Sequence, residues 1–332
     1  MKNIAVIGAG SWGTALAITL GKNGHNVKIW DVDTEHLKNL QADGENKKYL
    51  PGCKFVGNMQ AVFEAKDAIE GADVVLFSAP AQHFRSALDT AFPYLTKDMI
   101  IVNVSKGIEQ KTLMRMSEIA KEKLEGYKYA VLAGPSHAEE VGQAYPTIIA
   151  AAADDINVAE EIQDIFMNEH FRVYTNDDVI GSELGGALKN IIALGAGISD
   201  GMGFGDNAKA ALMARGMVEI KRLGIALGAK EETFNGVTGI GDLIVTCISM
   251  HSRNRRCGIM IGEGMAPAEA IKEVGMVVEG IYTAEAAFQL AQKVGVEMPI
   301  TEAICAVING KLDARVAVET LMGRERKNER LR

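Results

Sequence analysis

Gly8-Ala9-Gly10-Ser11-Trp12-Gly13 sets three glycines at the spacing G-x-G-x-x-G, straight after the apolar run Lys2 to Ile7 and straight before a helical stretch from Thr14 to Asn23. Strand, glycine turn and helix in that order make a grip for a pyrophosphate. Gly8 permits the turn, Gly10 lets the backbone approach the phosphates, and Gly13 lets the helix pack close to the sheet. The helix N-terminus adds free N–H groups and a partial positive charge. A second strand, Asn26 to Trp30, ends at Asp31, about 20 residues beyond the glycines, where a carboxylate can bind the ribose hydroxyls of a dinucleotide.

In an open parallel sheet, ligands sit beyond the carboxyl ends of the strands. Lys106 stands at such an end, after the run Met99 to Ser105; it is either a cation for the substrate or a solvated lysine. Gly134-Pro135-Ser136 stands at another, as part of the site or as a plain turn with Ser136 capping the next helix. Further on, Leu184-Gly-Gly-Ala-Leu-Lys-Asn190 reads as a helix despite two glycines, each costing about 1 kcal/mol relative to alanine. Small residues there permit close approach, and Lys189 is either an exposed lysine, the commoner fate, or a lysine held in this apolar run, where lost hydration lowers its pKa and eases proton donation near neutrality. Asp242 follows a glycine-rich bend and is either a turn residue or an acid of the site. Ser252-Arg253-Asn254 combines a hydroxyl, a guanidinium fork and an amide, a set suited to phosphate. Arg255 or Arg256 in the same segment reads as solvent-facing. Cys247 lies in the apolar stretch Leu243 to Ile248 and reads as a buried thiol.

These residues need a scaffold. Up to about Ala153, apolar runs alternate with helical patterns: strands at Val74 to Ser78, Met99 to Ser105, Tyr129 to Ala133 and Thr147 to Ala153, with Arg172 to Thr175 a further short one. Helices fit Phe84 to Asp89, Thr112 to Leu124 and Val158 to Met167. The alternation predicts an α/β fold with an N-terminal doubly wound, mostly parallel sheet of Rossmann type. From Asp178 onward the strand signal ends. Helices fit Glu183 to Ser199, Ala208 to Leu227, Ala266 to Glu273, Thr283 to Val294 and Thr301 to Ile308, so the C-terminal domain is all-helical. The division is therefore a dinucleotide-binding domain over 1–180 and a helical substrate and catalytic domain over 181–332. Gly323 to Arg332, with alternating charge, reads as a tail.

At 332 residues and 48% hydrophobic content, the chain has room for two globular domains. A net charge of −8 argues against a nucleic-acid binder or a membrane-surface protein, and requires any anionic ligand to meet a local basic cluster. With no leader-like segment and no run of about 18 apolar residues, the chain reads as soluble and cytoplasmic, without membrane insertion. The four cysteines lack C-x-x-C spacing and the six histidines form no ligand pair, so the expected mechanism uses no metal.

The succession Gly8-Ala-Gly-Ser-Trp-Gly13, Ser105-Lys-Gly107, Gly134-Pro-Ser136, Gly185-Gly-Ala-Leu-Lys-Asn190, Gly241-Asp242, Ser252-Arg-Asn-Arg-Arg256 and Val277-Val-Glu-Gly280 resembles the bacterial NAD(P)-dependent glycerol-3-phosphate dehydrogenases over essentially the whole chain. The resemblance implies reversible reduction of dihydroxyacetone phosphate to sn-glycerol 3-phosphate, a precursor of phospholipids. It assigns Ser11, Trp12, Ala138, Val277 and Glu279 to the cofactor, with Lys106 and Arg253 touching both cofactor and substrate. It assigns Gly134, Ser136, Asp242, Ser252, Arg253 and Asn254 to the substrate, makes Lys189 the proton acceptor in oxidation, and implies a homodimer. One departure concerns the cofactor. Family members that use NADP commonly carry His or Arg after the second strand, whereas this chain reads Trp30-Asp-Val-Asp33. A carboxylate at Asp31 repels a 2′-phosphate, so NAD is expected, with His36 or Lys38 the residues through which NADP stays possible. Related hydroxyacid dehydrogenases of the 6-phosphogluconate or ketopantoate type share the two-domain plan and the lysine. A nucleotide sensor would need neither Lys106, Lys189 nor the phosphate cluster.

Overall fold

A computed structural model describes residues 1–326, 328 and 329; Lys327 and residues 330–332, the end of the expected tail, lie outside the described residues. The first half builds one eight-stranded sheet from β1 (Asn3–Ile7), β2 (Asn26–Trp30), β3 (Asn58–Ala61), β4 (Val74–Phe77), β5 (Ile100–Asn103), β6 (Lys128–Ala133), β7 (Thr147–Ala152) and β8 (Phe171–Asn176). Their order is β3-β2-β1-β4-β5-β6-β7-β8, and every pair is parallel except β6 with β7. Strands β4 and β5 are buried at every position. Such unbroken Val, Ile and Leu runs are what a parallel sheet covered on both faces requires. The connecting helices are α1 (Ser11–Lys22), α2 (Thr34–Asp43), α3 (Ala65–Ile69), α4 (Phe84–Ala91), α5 (Met116–Lys121), α6 (Ala138–Gly142) and α7 (Ile156–Phe166).

The strand order reverses between β1 and β4, and the glycine turn sits at that switch point. Gly8 has φ +112°, and a Cβ there would lie 2.9 Å from the backbone of Ser78, just past β4. A Cβ on Gly13 would lie 2.1 Å from the Gly8 carbonyl oxygen. Both positions therefore exclude larger residues, one by conformation and space, the other by space alone.

Two differences from the sequence reading have plain causes. β3 alternates exposed and buried residues at the sheet edge, and Asn58-Met-Gln-Ala lacks the β-branched run of the central strands. The helix expected over Thr112 to Leu124 is only α5, because Leu113 takes φ +61° and Arg115 bridges back to Ile108 before a capping box starts the helix.

The second half is helical: α8 (Val179–Gly201), α9 (Asp206–Ala226), α10 (Asp242–Ile248), α11 (Arg253–Gly262), α12 (Pro267–Val274), α13 (Glu279–Val294), α14 (Pro299–Ile308) and α15 (Ala314–Met322). Among the described residues no helix is long and apolar enough to cross a membrane. α8 is buried at nearly every position and forms the axis of this half. Its crossing with α11 is a glycine seam. A Cβ on Gly197 would lie 2.1 Å from the Arg255 carbonyl oxygen, on Gly258 2.1 Å from that of Leu194, on Gly201 2.1 Å from that of Ile259, and on Gly262 2.2 Å from that of Ile198. Backbone thus meets backbone, which carries the N-terminal end of α11 up beside Lys189 on α8. The two halves are joined by buried Glu183 in the second turn of α8, which accepts hydrogen bonds from Ser117 N (2.8 Å), Ser117 Oγ (2.6 Å) and Arg115 Nη1 (2.8 Å).

Gly258→Ala should overpack the seam and cost about 1–3 kcal/mol. Urea unfolding should show a lower midpoint; an unchanged midpoint would contradict the tight crossing.

Candidate active site

A cavity of about 950 Å³ runs from the glycine turn, between the sheet ends and the helical half, to Lys189 and the start of α11. Gly8, Gly10, Ser11, Trp12 and Asp31 line one end, and Ser136, Lys189, Ser252, Arg253 and Asn254 the other. Lys106, Ala138, Val277 and Glu279 also line it. Three further residues of the sequence reading do not reach its surface. Gly13 packs against Gly8, while Gly134 and Asp242 lie behind the two lysines.

Asp242 is the electrostatic centre. It is 1% exposed, and its carboxylate is shared: Lys106 Nζ donates to Oδ2 at 2.7 Å and Lys189 Nζ to Oδ1 at 2.7 Å. Burial alone would raise the Asp242 pKa, but the two ammonium groups outweigh it and hold the carboxyl below its ordinary range. Lys106 also donates to the Gly134 carbonyl at 3.0 Å, an oxygen that Ser136 Oγ bonds at 2.9 Å. Ser136 is therefore not the cap of α6; that position belongs to His137. Lys189 gains a second partner in Thr246 Oγ1 at 2.6 Å, and Thr246 in turn bonds the Asp242 carbonyl at 2.6 Å. Burial pushes the Lys189 pKa down to about 8; Asp242 opposes the shift and Lys106 assists it. The result is an ammonium held at two points, facing a cavity, and able to lose its proton near neutral pH.

Thr246 was legible only through geometry. Asp242 and Thr246 stand at i and i+4 on α10, a spacing that puts both on one helix face. The apolar run Leu243 to Ile248 concealed that helix. Cys247 within it is buried, its thiol pushed up to about 12 by desolvation.

The basic segment starts a helix instead of forming an open turn. Ser252 caps α11, accepting from Arg255 N at 3.2 Å. Arg253 lines the cavity, and among the described residues its guanidinium makes no hydrogen bond or ion pair, which leaves its donors for an anion. Of Arg255 and Arg256, one or the other of which read as solvent-facing, Arg255 is clamped to Asp200 through Nε (2.9 Å) and Nη2 (2.8 Å), so it is a structural pair. Asn254 ties three elements together: its Nδ2 donates to Asn190 Oδ1 at 2.9 Å and its Oδ1 accepts from Gly280 N at 2.8 Å.

The other end fits a dinucleotide. Open space surrounds the position of a Cβ on Gly10, and Trp12 Nε1 is a buried donor without a partner among the described residues. Asp31 Oδ2 accepts from Ala9 N at 2.7 Å and Oδ1 from Asp33 N at 3.0 Å, so the carboxylate also braces the turn while each oxygen keeps a lone pair. His36 is not free for a phosphate: it is buried and donates through Nε2 to the Ala9 carbonyl at 3.0 Å. Lys38 pairs with Glu35 at 3.1 Å. At the middle, Glu279 Oε1 accepts from Ala81 N at 3.0 Å, while its Oε2 is buried without a partner among the described residues. Burial raises its pKa, against the pull of that N–H and of Arg253.

Asp242→Asn should remove the opposing charge and let the Lys189 pKa fall below about 8. NMR titration of lysine side-chain nitrogens would detect this; an unshifted midpoint would deny Asp242 that role.

The chain matches the family models for the N-terminus of NAD-dependent glycerol-3-phosphate dehydrogenase over residues 3–159 and for its C-terminus over residues 178–319. The glycerol-3-phosphate dehydrogenase [NAD(P)+] of Bacillus velezensis is 50% identical over 99% of this chain and 96% of its own. That of Clostridium perfringens is 48% identical over the full length of both. Among solved structures, the glycerol-3-phosphate dehydrogenase of Coxiella burnetii superposes with a TM-score of 0.94 at 38% identity, covering 97% of this chain and 99% of that one.

Proposed function

The chain belongs to the NAD-dependent glycerol-3-phosphate dehydrogenase family, and on that premise we propose that it reversibly reduces dihydroxyacetone phosphate to sn-glycerol 3-phosphate with Lys189 as the proton donor. The observation that carries the reading is Lys189, with a pKa of about 8, held by Asp242 and Thr246 in the cavity that also contains Arg253, unpaired among the described residues. In the same reading residues 1–180 form the dinucleotide-binding domain and 181–332 the substrate domain. In this reading the product supplies glycerophospholipid synthesis, and the protein works in the cytoplasm as a homodimer.

NAD(P) would be held by Gly8, Gly10, Ser11, Trp12 and Asp31, on a turn that Gly13 lets pack closely, with Lys106, Ala138, Arg253, Val277 and Glu279 contacting it. When bound, the reduced nicotinamide supplies a hydride to the ketone carbon. The chain's own residues do the rest. Arg253, Ser252 and Asn254 anchor the phosphate, remote from the reacting carbon, and so fix its position. Lys189 neutralises the negative charge that grows on the ketone oxygen and delivers the proton. Lys106 adds a second positive field, and Ser136 supplies a hydroxyl at the substrate end. Asp242 keeps both lysines in place, since leaving either ammonium buried without a counter-charge is costly. In the oxidative direction neutral Lys189 takes the alcohol proton back.

Lys189→Ala should lower turnover about 10²–10⁴-fold while NADH binding, read by fluorescence, is unchanged. In the wild type, kcat/KM for ketone reduction should fall as pH rises through about 8, because reduction needs the protonated amine, and the oxidative value should rise over the same range. Near wild-type turnover in the variant would refute the assignment.

Asp31 supports a preference for NADH, because a 2′-phosphate at that position meets a carboxylate and finds neither His36 nor a free Lys38. A spectrophotometric assay with dihydroxyacetone phosphate and each reduced cofactor tests function and preference together. A higher kcat/KM with NADPH would overturn the preference alone.

A further inference from the structure

Lys106 reaches Asp242 from a loop that one buried amide clasps. Asn103 ends β5 and is fully buried; its Oδ1 accepts from Ser105 N at 2.9 Å and its Nδ2 donates to the Ser105 carbonyl at 3.2 Å. The residue before Lys106 is thus held at both of its peptide groups. Ser105 Oγ also donates to the Ala79 carbonyl, which pins the loop just past β4. The clasp is anchored in turn. Tyr129 stands opposite Ile101 in the β5–β6 pair, so it shares a sheet face with Asn103, whose amide interacts with its hydroxyl. That hydroxyl donates to Glu183 Oε1 at 3.3 Å. Glu183, Gly186 and Lys189 follow at three-residue intervals on α8, and a Cβ on Gly186 would lie 3.5 Å from Lys106 Cγ, so the lysine stem crosses α8 between the other two. From Glu183 through Tyr129, Asn103, Ser105, Lys106 and Asp242 to Lys189, the contacts form a ring that begins and ends on one helix.

We propose that Asn103 is a positioning residue: anchored through Tyr129 to Glu183, it holds the Lys106 ammonium on Asp242 and so fixes the positive charge next to Lys189. This rests on the function proposed above for Lys189. Among the described residues, the titratable groups that act on Lys189 are Asp242 and Cys247 on α10, Lys106 after β5, and His137 before α6. Burial keeps Cys247 and His137 neutral near pH 8, at about 12 and about 4, so the charge comes from Asp242 and Lys106. Asp242 strengthens the hold of Lys189 on its proton and Lys106 weakens it. Loosening the clasp lets Lys106 leave Asp242 for solvent, and Lys189 then keeps its proton to higher pH.

The experiment measures the Lys189 midpoint by NMR titration of lysine side-chain nitrogens, together with the pH profile of kcat/KM for dihydroxyacetone phosphate. It uses the wild type, Asn103→Ala, Tyr129→Phe, Lys106→Met and the two double variants that combine Lys106→Met with each of the others. Asn103→Ala should lower kcat/KM roughly tenfold to a hundredfold, the cost of a misplaced group in the site, and move the midpoint above about 8. Tyr129→Phe keeps the ring, serves where Asn103→Ala fails to fold, and should move the midpoint the same way by less. Lys106→Met should move it at least as far, and neither second substitution should add to that shift, because the route passes through Lys106. An unmoved midpoint in Asn103→Ala or in Tyr129→Phe would overturn the proposal. A rise that persists on top of Lys106→Met would overturn it too, by showing an effect on the hydration of the site. The NMR midpoints need no turnover, so a wild type inactive on dihydroxyacetone phosphate would sink the function while the positioning role is still decided.

Discussion

One carboxylate buried between two ammonium groups organises this molecule. Asp242 is almost wholly screened from water, and an unpaired charge there would be prohibitive; paired on both oxygens, it is tolerated. The chain must therefore deliver Lys106 from the sheet and Lys189 from the long central helix to within hydrogen-bond distance of the same group. The other features of the site follow from that requirement. Thr246 completes the setting of Lys189, and Gly134 lends its carbonyl to Lys106. Burial weakens the hold of Lys189 on its proton, yet Asp242 keeps it from becoming a neutral amine outright. Acid strength here is a compromise between desolvation and pairing.

Much of this was legible in the sequence because it is local. The glycine turn, the strands β1, β2 and β4 to β8, and the long helices α8, α9 and α13 announce themselves through apolar runs and glycine spacing, which act over a few residues. β3 was missed because an edge strand of four residues with two polar side chains carries almost no hydrophobic signal. α10 and α11 were missed because glycines and a basic cluster disguise their starts, and their helical form is stabilised by tertiary packing on α8. For the same reason the tie of Arg255 to Asp200 could not be read from the basic cluster, where Arg255 or Arg256 stood as a surface charge.

Site residues divide along the same line. Lys106, Lys189, Asp242 and the Ser252 to Asn254 cluster could be singled out by residue type and position. Their mutual arrangement could not, since it depends on how closely helices approach. Thr246 had no local signature at all: a threonine in an apolar run gains meaning only from what stands opposite it. Conversely, Gly134 and Asp242 turn out to support the lysines from behind the cavity wall.

The bond from Lys106 to Asp242 spans 136 positions of the chain. Contacts of that separation are slow to form during folding, because the entropy of closing so long a loop must be met before they return anything. The proton affinity of Lys189 is consequently a property of the completed tertiary structure. In a partly folded state that lacks the sheet-to-helix docking, Lys189 keeps Asp242 but loses the charge of Lys106 and part of its burial, and it holds its proton more firmly. The acid therefore reaches its final strength only at the end of folding, and the ionisation of this one side chain reports that the two halves have come together.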